Sequence, residues 1–185
     1  VCSSDLELMR LYGFKMPNKH LDKARDLFCF GCFTGLRFSD FTNIRPENYS
    51  DGKLLIRTTK TDEPLKIPLI KQAEEILIKY KFSLPPISNQ KLNEYLRDAA
   101  EEAKIDKPVT IQKRSGGKRT FISEPKHKFL STHTARRTFI TLSLEKGVRP
   151  ETLMRITGHR SLRSFQKYIK IIDTVVADEL SKAWK

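Results

Sequence analysis

The stretch "GHRSLRSFQKY", residues 158–168, sets His159, three cations and a closing Tyr168 within eleven positions. A phenol can act as a nucleophile, and an imidazole can take or return its proton. Three earlier stretches hold partners for such chemistry: "TGLRFSD" with Arg37 and Asp40, "TTKT" with Lys60, and "HTARR" with His133 and Arg136. A guanidinium keeps its charge at any working pH and offers planar paired donors that suit phosphate oxygens. Each stretch alone has a plainer explanation. Arg37 after a glycine turn is an ordinary surface cation, and Lys60 an ordinary turn lysine. His133 and Arg136, three apart, share a helix face as many polar pairs do.

The charge balance says what such a group of residues would meet. The 185 residues carry 35 Lys and Arg against 22 Asp and Glu, a formal net charge of +13 and a pI near 9.8. An excess of this size repels itself in a folded chain and points to a polyanion, best of all nucleic acid, whose phosphates release counterions on binding. A membrane surface fits less well, because the cations are spread through structured segments instead of one amphipathic helix. No apolar run approaches a bilayer span, and "VCSSDLELMR" lacks the basic start and apolar stretch of a secretory signal. The expected setting is cytoplasmic. The chain begins without methionine, which suggests a piece of a longer protein. Cys29 and Cys32 form a C-x-x-C inside the apolar run "LFCFGCF", with no second pair to complete a zinc site, so they read as core residues and no metal is expected. An odd count of three cysteines agrees with a reducing compartment.

The elements that must position these side chains can be read from periodicity and turn signals. Residues 1–20 read as a linker ending in the polar turn "MPNKH". A helix from Leu21 repeats Leu21, Ala24, Leu27, Phe28 and Cys32, and stops where Gly35 can take a left-handed conformation. A short helix over "RFSDFTNI" ends at Pro46, and two β-prone runs around "KTDE" predict a hairpin over 53–68. Helices follow with Ile70, Ala73, Leu77 and Tyr80 on one face, then Leu92, Tyr95, Leu96, Ala99 and Ala103. "VTIQKRSGGKRTFI" predicts a second hairpin turning at Gly116–Gly117, and residues 112–129 hold six Lys or Arg against the single Glu124. The last third reads as helices: one over "THTARRTFITLSLEK", one opening near Pro150 and ending at Gly158, and one capped by Ser161 with Leu162, Phe165 and Ile169 as its buried face. A final helix over 174–185 carries Val175, Val176, Leu180 and Trp184. The fold class is mainly α with small β elements.

In this order the four stretches resemble the tyrosine recombinase (phage integrase) family, over about residues 20–172. The resemblance rests on T-G-L-R-x-S-D, a hairpin lysine, H-x-x-R, and G-H followed nine residues later by tyrosine. Asp40, Ala135, Arg137 and Thr157 depart from the commoner residues, and none of these removes a reactive group. The wording "HTARRTF" and "TGH…YIK" is similar to integrases of bacterial mobile elements.

The resemblance implies a helical catalytic domain with β-hairpins over 21–173, preceded by an N-terminal DNA-binding domain. It also implies site-specific DNA strand exchange without ATP, metal or other cofactor. Tyr168 would attack the scissile phosphorus to form a 3′-phosphotyrosyl link and free a 5′-hydroxyl. Arg37 and Arg136 would hold the non-bridging oxygens, and Lys60 would protonate the leaving oxygen. His133 would orient or deprotonate the phenol, His159 would donate to the phosphate, and Asp40 would orient the site. Lys113, Arg114, Lys118 and Arg119 on the second hairpin, with Arg160, Arg163 and Lys167, are candidates to hold the DNA backbone. The implied partners are double-stranded DNA and further copies of the chain, a tetramer on DNA, with helix 174–185 docking on a neighbouring protomer or on its own domain. A type IB topoisomerase, a DNA-binding module without catalysis and a merely basic interaction domain are the competing readings.

Overall fold

Helix α2 (Lys19–Thr34) is the axis of the computed structural model, which describes residues 4–60, 62–115 and 118–169. Asn18 caps it, its Oδ1 accepting from the N–H groups of His20 and Leu21 at 3.0 Å. From Ala24 to Thr34 every residue is buried, so the helix is surrounded by other elements on all sides. Gly31 faces Ala135, and a Cβ placed there would lie 3.1 Å from the Ala135 Cβ. That small-on-small contact lets α2 and α6 (Thr132–Glu145) cross closely.

A short helix, α3 (Phe38–Phe41), leads into a three-stranded antiparallel sheet of β1 (Tyr49–Ser50), β2 (Lys53–Arg57) and β3 (Pro64–Pro68), in that order. Its alternation is regular: Leu54, Ile56, Leu65 and Ile67 point inward, and their neighbours face solvent. The hairpin spans 53–68, as the sequence predicts, and Arg57 pairs with Pro64 across the turn that bears Lys60. Helices α4 (Lys71–Lys79) and α5 (Asn89–Glu102) pack on α2. Ile70, predicted on the buried face of α4, caps the helix instead and is exposed.

The second hairpin joins β4 (Pro108–Ser115) to β5 (Lys118–Pro125), followed by a 3-10 turn at Lys126–Phe129. Then come α6, α7 (Pro150–Thr157) and α8 (Leu162–Ile169). Ile140, Leu144, Leu153, Phe165 and Tyr168 form a small second core that fastens α7 and α8 to α6. Here the sequence reading needs correction. Leu162 and Ile169 are exposed, and Phe165 and Tyr168, three apart, are the buried pair.

Residues 5–13, read as linker, form helix α1 (Asp5–Gly13) with Leu8 and Leu11 in the main core. Ser4 and Glu7 make a reciprocal capping box, and Lys126 pairs with Glu7, tying α1 to the turn before α6. Cys29 and Cys32 are buried in the core, and burial pushes the Cys29 thiol up. No helix among the described residues is long and apolar enough to cross a membrane. The helix predicted over 174–185 lies outside the described residues, as does the Gly116–Gly117 turn.

Candidate active site

Gly35 ends α2 at φ 69°, and any Cβ there would sit 2.3 Å from the Phe139 ring. The chain reverses at this glycine, so Leu36 is buried and Arg37 stands at the start of α3. The Arg37 Nη1 lies 3.6 Å from the Asp40 Oδ2, close enough to attract and too far for a hydrogen bond. Both atoms are buried without a hydrogen-bond partner. The other Asp40 oxygen accepts the Thr59 N–H at 2.9 Å, and the Thr59 hydroxyl donates to the Ser39 carbonyl at 3.1 Å. One carboxylate, 3% exposed, thus connects the Arg37 turn to the turn of the lysine hairpin. Lys60 follows Thr59 directly and is exposed.

Arg136 lies on α6 and is only 4% exposed. Its Nη1 donates to the Gly35 carbonyl at 2.8 Å, and its Nη2 to the Thr157 carbonyl at 2.6 Å. The guanidinium therefore fixes the end of α2 and the end of α7 in one place. Burial, then the nearby Arg37 charge, lowers its pKa to about 10, which leaves it cationic at neutral pH. Its Nη2 is also 3.2 Å from the His159 Nδ1, which lies 2.7 Å from the Thr157 hydroxyl. Burial and the Arg136 and Arg37 charges lower the His159 pKa to about 4, so this imidazole is neutral at pH 7.

His133 sits in the first turn of α6, which Ser131 caps and which Thr132 ties to α5 through Asn89 and Asn93. Burial, Arg137 and Lys167 lower its pKa as well. A cavity of about 340 Å³ is lined by Arg37, Ser39, Asn89, Thr132, His133 and Arg136. A second, of about 150 Å³, is lined by His133, Arg137, Lys167 and Tyr168. His133 is the wall common to both. Arg37 and Arg136 line the first cavity with it and Tyr168 the second, and the tyrosine ring is edge-on to His159 at 5.8 Å.

The phage integrase family's sequence profile matches residues 7–174, and thus spans all four stretches that build this site. The chain belongs to that family. A tyrosine recombinase of Pseudothermotoga lettingae is 29% identical over 180 residues, covering 95% of this chain and 58% of that protein. The chain thus spans a little over half the length of that relative. The crystal structure of XerA recombinase superposes with a TM-score of 0.67 at 18% identity, covering 99% of this chain and 65% of that one. A transposon integrase in complex with circular intermediate DNA superposes with a TM-score of 0.62 at 16% identity, over 91% of this chain and 60% of that one. The fold of this integrase-family chain is therefore the one those recombinases share.

Of the six residues singled out by sequence, Arg37, His133 and Arg136 line one cavity, His159 reaches them through Arg136, and Tyr168 lines the second cavity with His133. Lys60 stands apart on its turn, linked to the others through Thr59 and Asp40. Among the DNA-contact candidates, Arg163 and Arg119 are exposed, and Arg160 pairs with Glu63 beside the lysine turn at 2.7 Å. The side chains of Lys113, Arg114 and Lys118 lie outside the described set. Thr59, whose N–H donates to Asp40, has no role in the sequence reading, whereas Arg137 and Lys167, which line the tyrosine's cavity, enter it as a departure from the family pattern and as a DNA-backbone candidate.

Proposed function

We propose that the protein is a site-specific tyrosine recombinase, an integrase of a mobile element acting on DNA in a bacterial cytoplasm. The observation that carries this reading is the pair of cavities sharing His133, with Arg37 and Arg136 in one and Tyr168 in the other. A phosphodiester in the larger cavity would meet two guanidiniums at its non-bridging oxygens, and the opening turn of α6 adds favourable backbone dipoles. The Tyr168 oxygen attacks phosphorus, the bond from phosphorus to the 5′-oxygen breaks, and a 3′-phosphotyrosyl ester forms. The phenolic proton passes to His133, whose lowered pKa keeps it neutral and able to accept. Lys60 gives a proton to the departing 5′-oxygen, and His159 donates to the phosphate. Rejoining runs the same steps in reverse with a new 5′-hydroxyl, so no ATP enters.

Duplex DNA is the partner in this reading, held along its backbone by the basic β4–β5 hairpin and by Arg160 and Arg163. Strand exchange needs further copies, and we place a tetramer on the DNA, with residues 174–185 docking on a neighbouring protomer and an N-terminal domain completing the clamp. A nicked duplex that loses its 5′-hydroxyl fragment on cleavage tests the reaction class. The wild type is expected to form a covalent protein–DNA adduct and Tyr168→Phe none; an adduct of equal yield with Tyr168→Phe would refute the assignment.

A further inference from the structure

Phe121 takes no part in the reaction described above, yet it is 72% exposed and the only exposed Phe, Tyr or Trp among the described residues. It lies on β5 opposite Gln112, and Arg119, two residues earlier on the same face, lies opposite Arg114. The two faces of this ribbon differ. Val109, Ile111 and Ile122 are half-buried on one side, and Thr110, Gln112, Arg119, Phe121 and Ser123 stand in solvent on the other. The exposed ring is therefore not part of the hairpin's own packing.

Eight residues per strand give the ribbon a reach of about 26 Å, and beyond its own strands it packs chiefly on the 3-10 turn at its base. A two-stranded ribbon of this size is marginal without a partner, and its width fits a DNA groove. Its outward face suits nucleic acid better than protein. A protein interface would extend the apolar surface around the ring, whereas here small polar residues and an arginine surround it, on a hairpin with Lys113, Arg114, Lys118 and Arg119 toward its end.

We infer that the β4–β5 hairpin enters a groove of the DNA duplex and that Phe121 makes an apolar contact with a base there, while the cations near the tip meet phosphates. This rests on the recombinase reading and adds to it a contact with bases, which phosphate-bound lysines and arginines do not provide. An aromatic–base contact contributes free energy without releasing counterions, so it can be separated from the electrostatic part of binding.

The test compares Phe121→Ala with Arg119→Gln in DNA-binding titrations at several salt concentrations. Phe121→Ala is expected to weaken binding about 5- to 50-fold with the slope of log affinity against log salt unchanged. Arg119→Gln is expected to make that slope shallower by about one unit. A photo-crosslinking benzoylphenylalanine at position 121 should label a base. Affinity unchanged in Phe121→Ala, a shallower slope, or a crosslink only to a second copy of the protein would each overturn the inference. Because the ring is exposed, the variant's melting temperature should match the wild type, which separates lost contact from lost fold. If the wild type still forms its Tyr168 adduct and Phe121→Ala binds normally, only this inference falls; if the wild type binds no DNA, the recombinase reading falls with it.

Discussion

Replacing Asp40 with alanine disturbs two turns at once. The carboxylate is buried, accepts the Thr59 N–H at 2.9 Å and faces the Arg37 Nη1 at 3.6 Å. Breaking a fully buried ion pair from one side costs about 3–5 kcal/mol, but the Arg37 side chain is 28% exposed and the pair is long, so much of that is recovered by water. Losing the charge-assisted bond to Thr59 adds about 1.5–3 kcal/mol. A total near 2–3 kcal/mol is expected, or a fall in melting temperature of about 4–12 °C for a domain of this size. Asp40→Asn keeps an oxygen for Thr59 and loses only the charge beside Arg37, so it should melt within about 1 kcal/mol of the wild type. Both variants should form the covalent adduct more slowly, alanine more than asparagine, because only alanine frees the Lys60 turn. Thermal melts and adduct time courses on the same preparations decide this. Alanine that melts like the wild type, or asparagine slower than alanine, would refute the idea that Asp40 joins the two turns.

Three further outcomes follow from the site geometry. Gly35→Ala must accept φ 69° and a contact with the Phe139 ring, so a loss of about 2–4 kcal/mol in chemical denaturation and a displaced Arg37 are expected. His159 has its folded pKa lowered to about 4, below the 6.5 of the unfolded chain, so the unfolded state binds more protons between those values. Stability should therefore be fully present above pH 6.5 and decline as pH falls towards 4, with His133 adding in the same direction, and His159→Asn should flatten that slope in pH-dependent melts. Lys60→Ala should slow adduct formation about 100- to 10,000-fold on ordinary DNA, and a substrate with sulfur as the 5′ leaving atom, which needs no proton, should restore the rate.

Much of this architecture was legible in the sequence where one element decides its own fate. The 53–68 hairpin follows from alternation plus a polar turn, and the Gly35 stop from a residue that can take the left-handed conformation. Helix α1 was legible too, in the spacing of Ser4 and Glu7, but a short helix with only Leu8 and Leu11 buried, ahead of a polar turn, reads easily as linker. What escaped depends on neighbours far along the chain. Leu162, Phe165 and Ile169 make a reasonable face for α8, yet the space offered by α6 and α7 admits Phe165 and Tyr168 instead. The candidate site residues were visible because the chemistry expected of them limits the choice of side chain. Their supports were not, since Arg136 is held by two backbone carbonyls and Asp40 by a backbone N–H, groups that every residue possesses.

Tyr168 is 2% exposed, with its ring among Ile140, Leu144, Leu153 and Phe165. On the proposed reading the reagent is thus also mortar. To strike phosphorus it must vacate a packed hollow, and emptying such a space costs on the order of 3–5 kcal/mol. An unoccupied enzyme is thereby restrained from attacking stray phosphodiesters, and a cognate duplex that props α8 open supplies the missing energy. Trimming Leu144 or Leu153 to alanine would loosen that restraint, yielding a recombinase quicker to fire and quicker to fall apart.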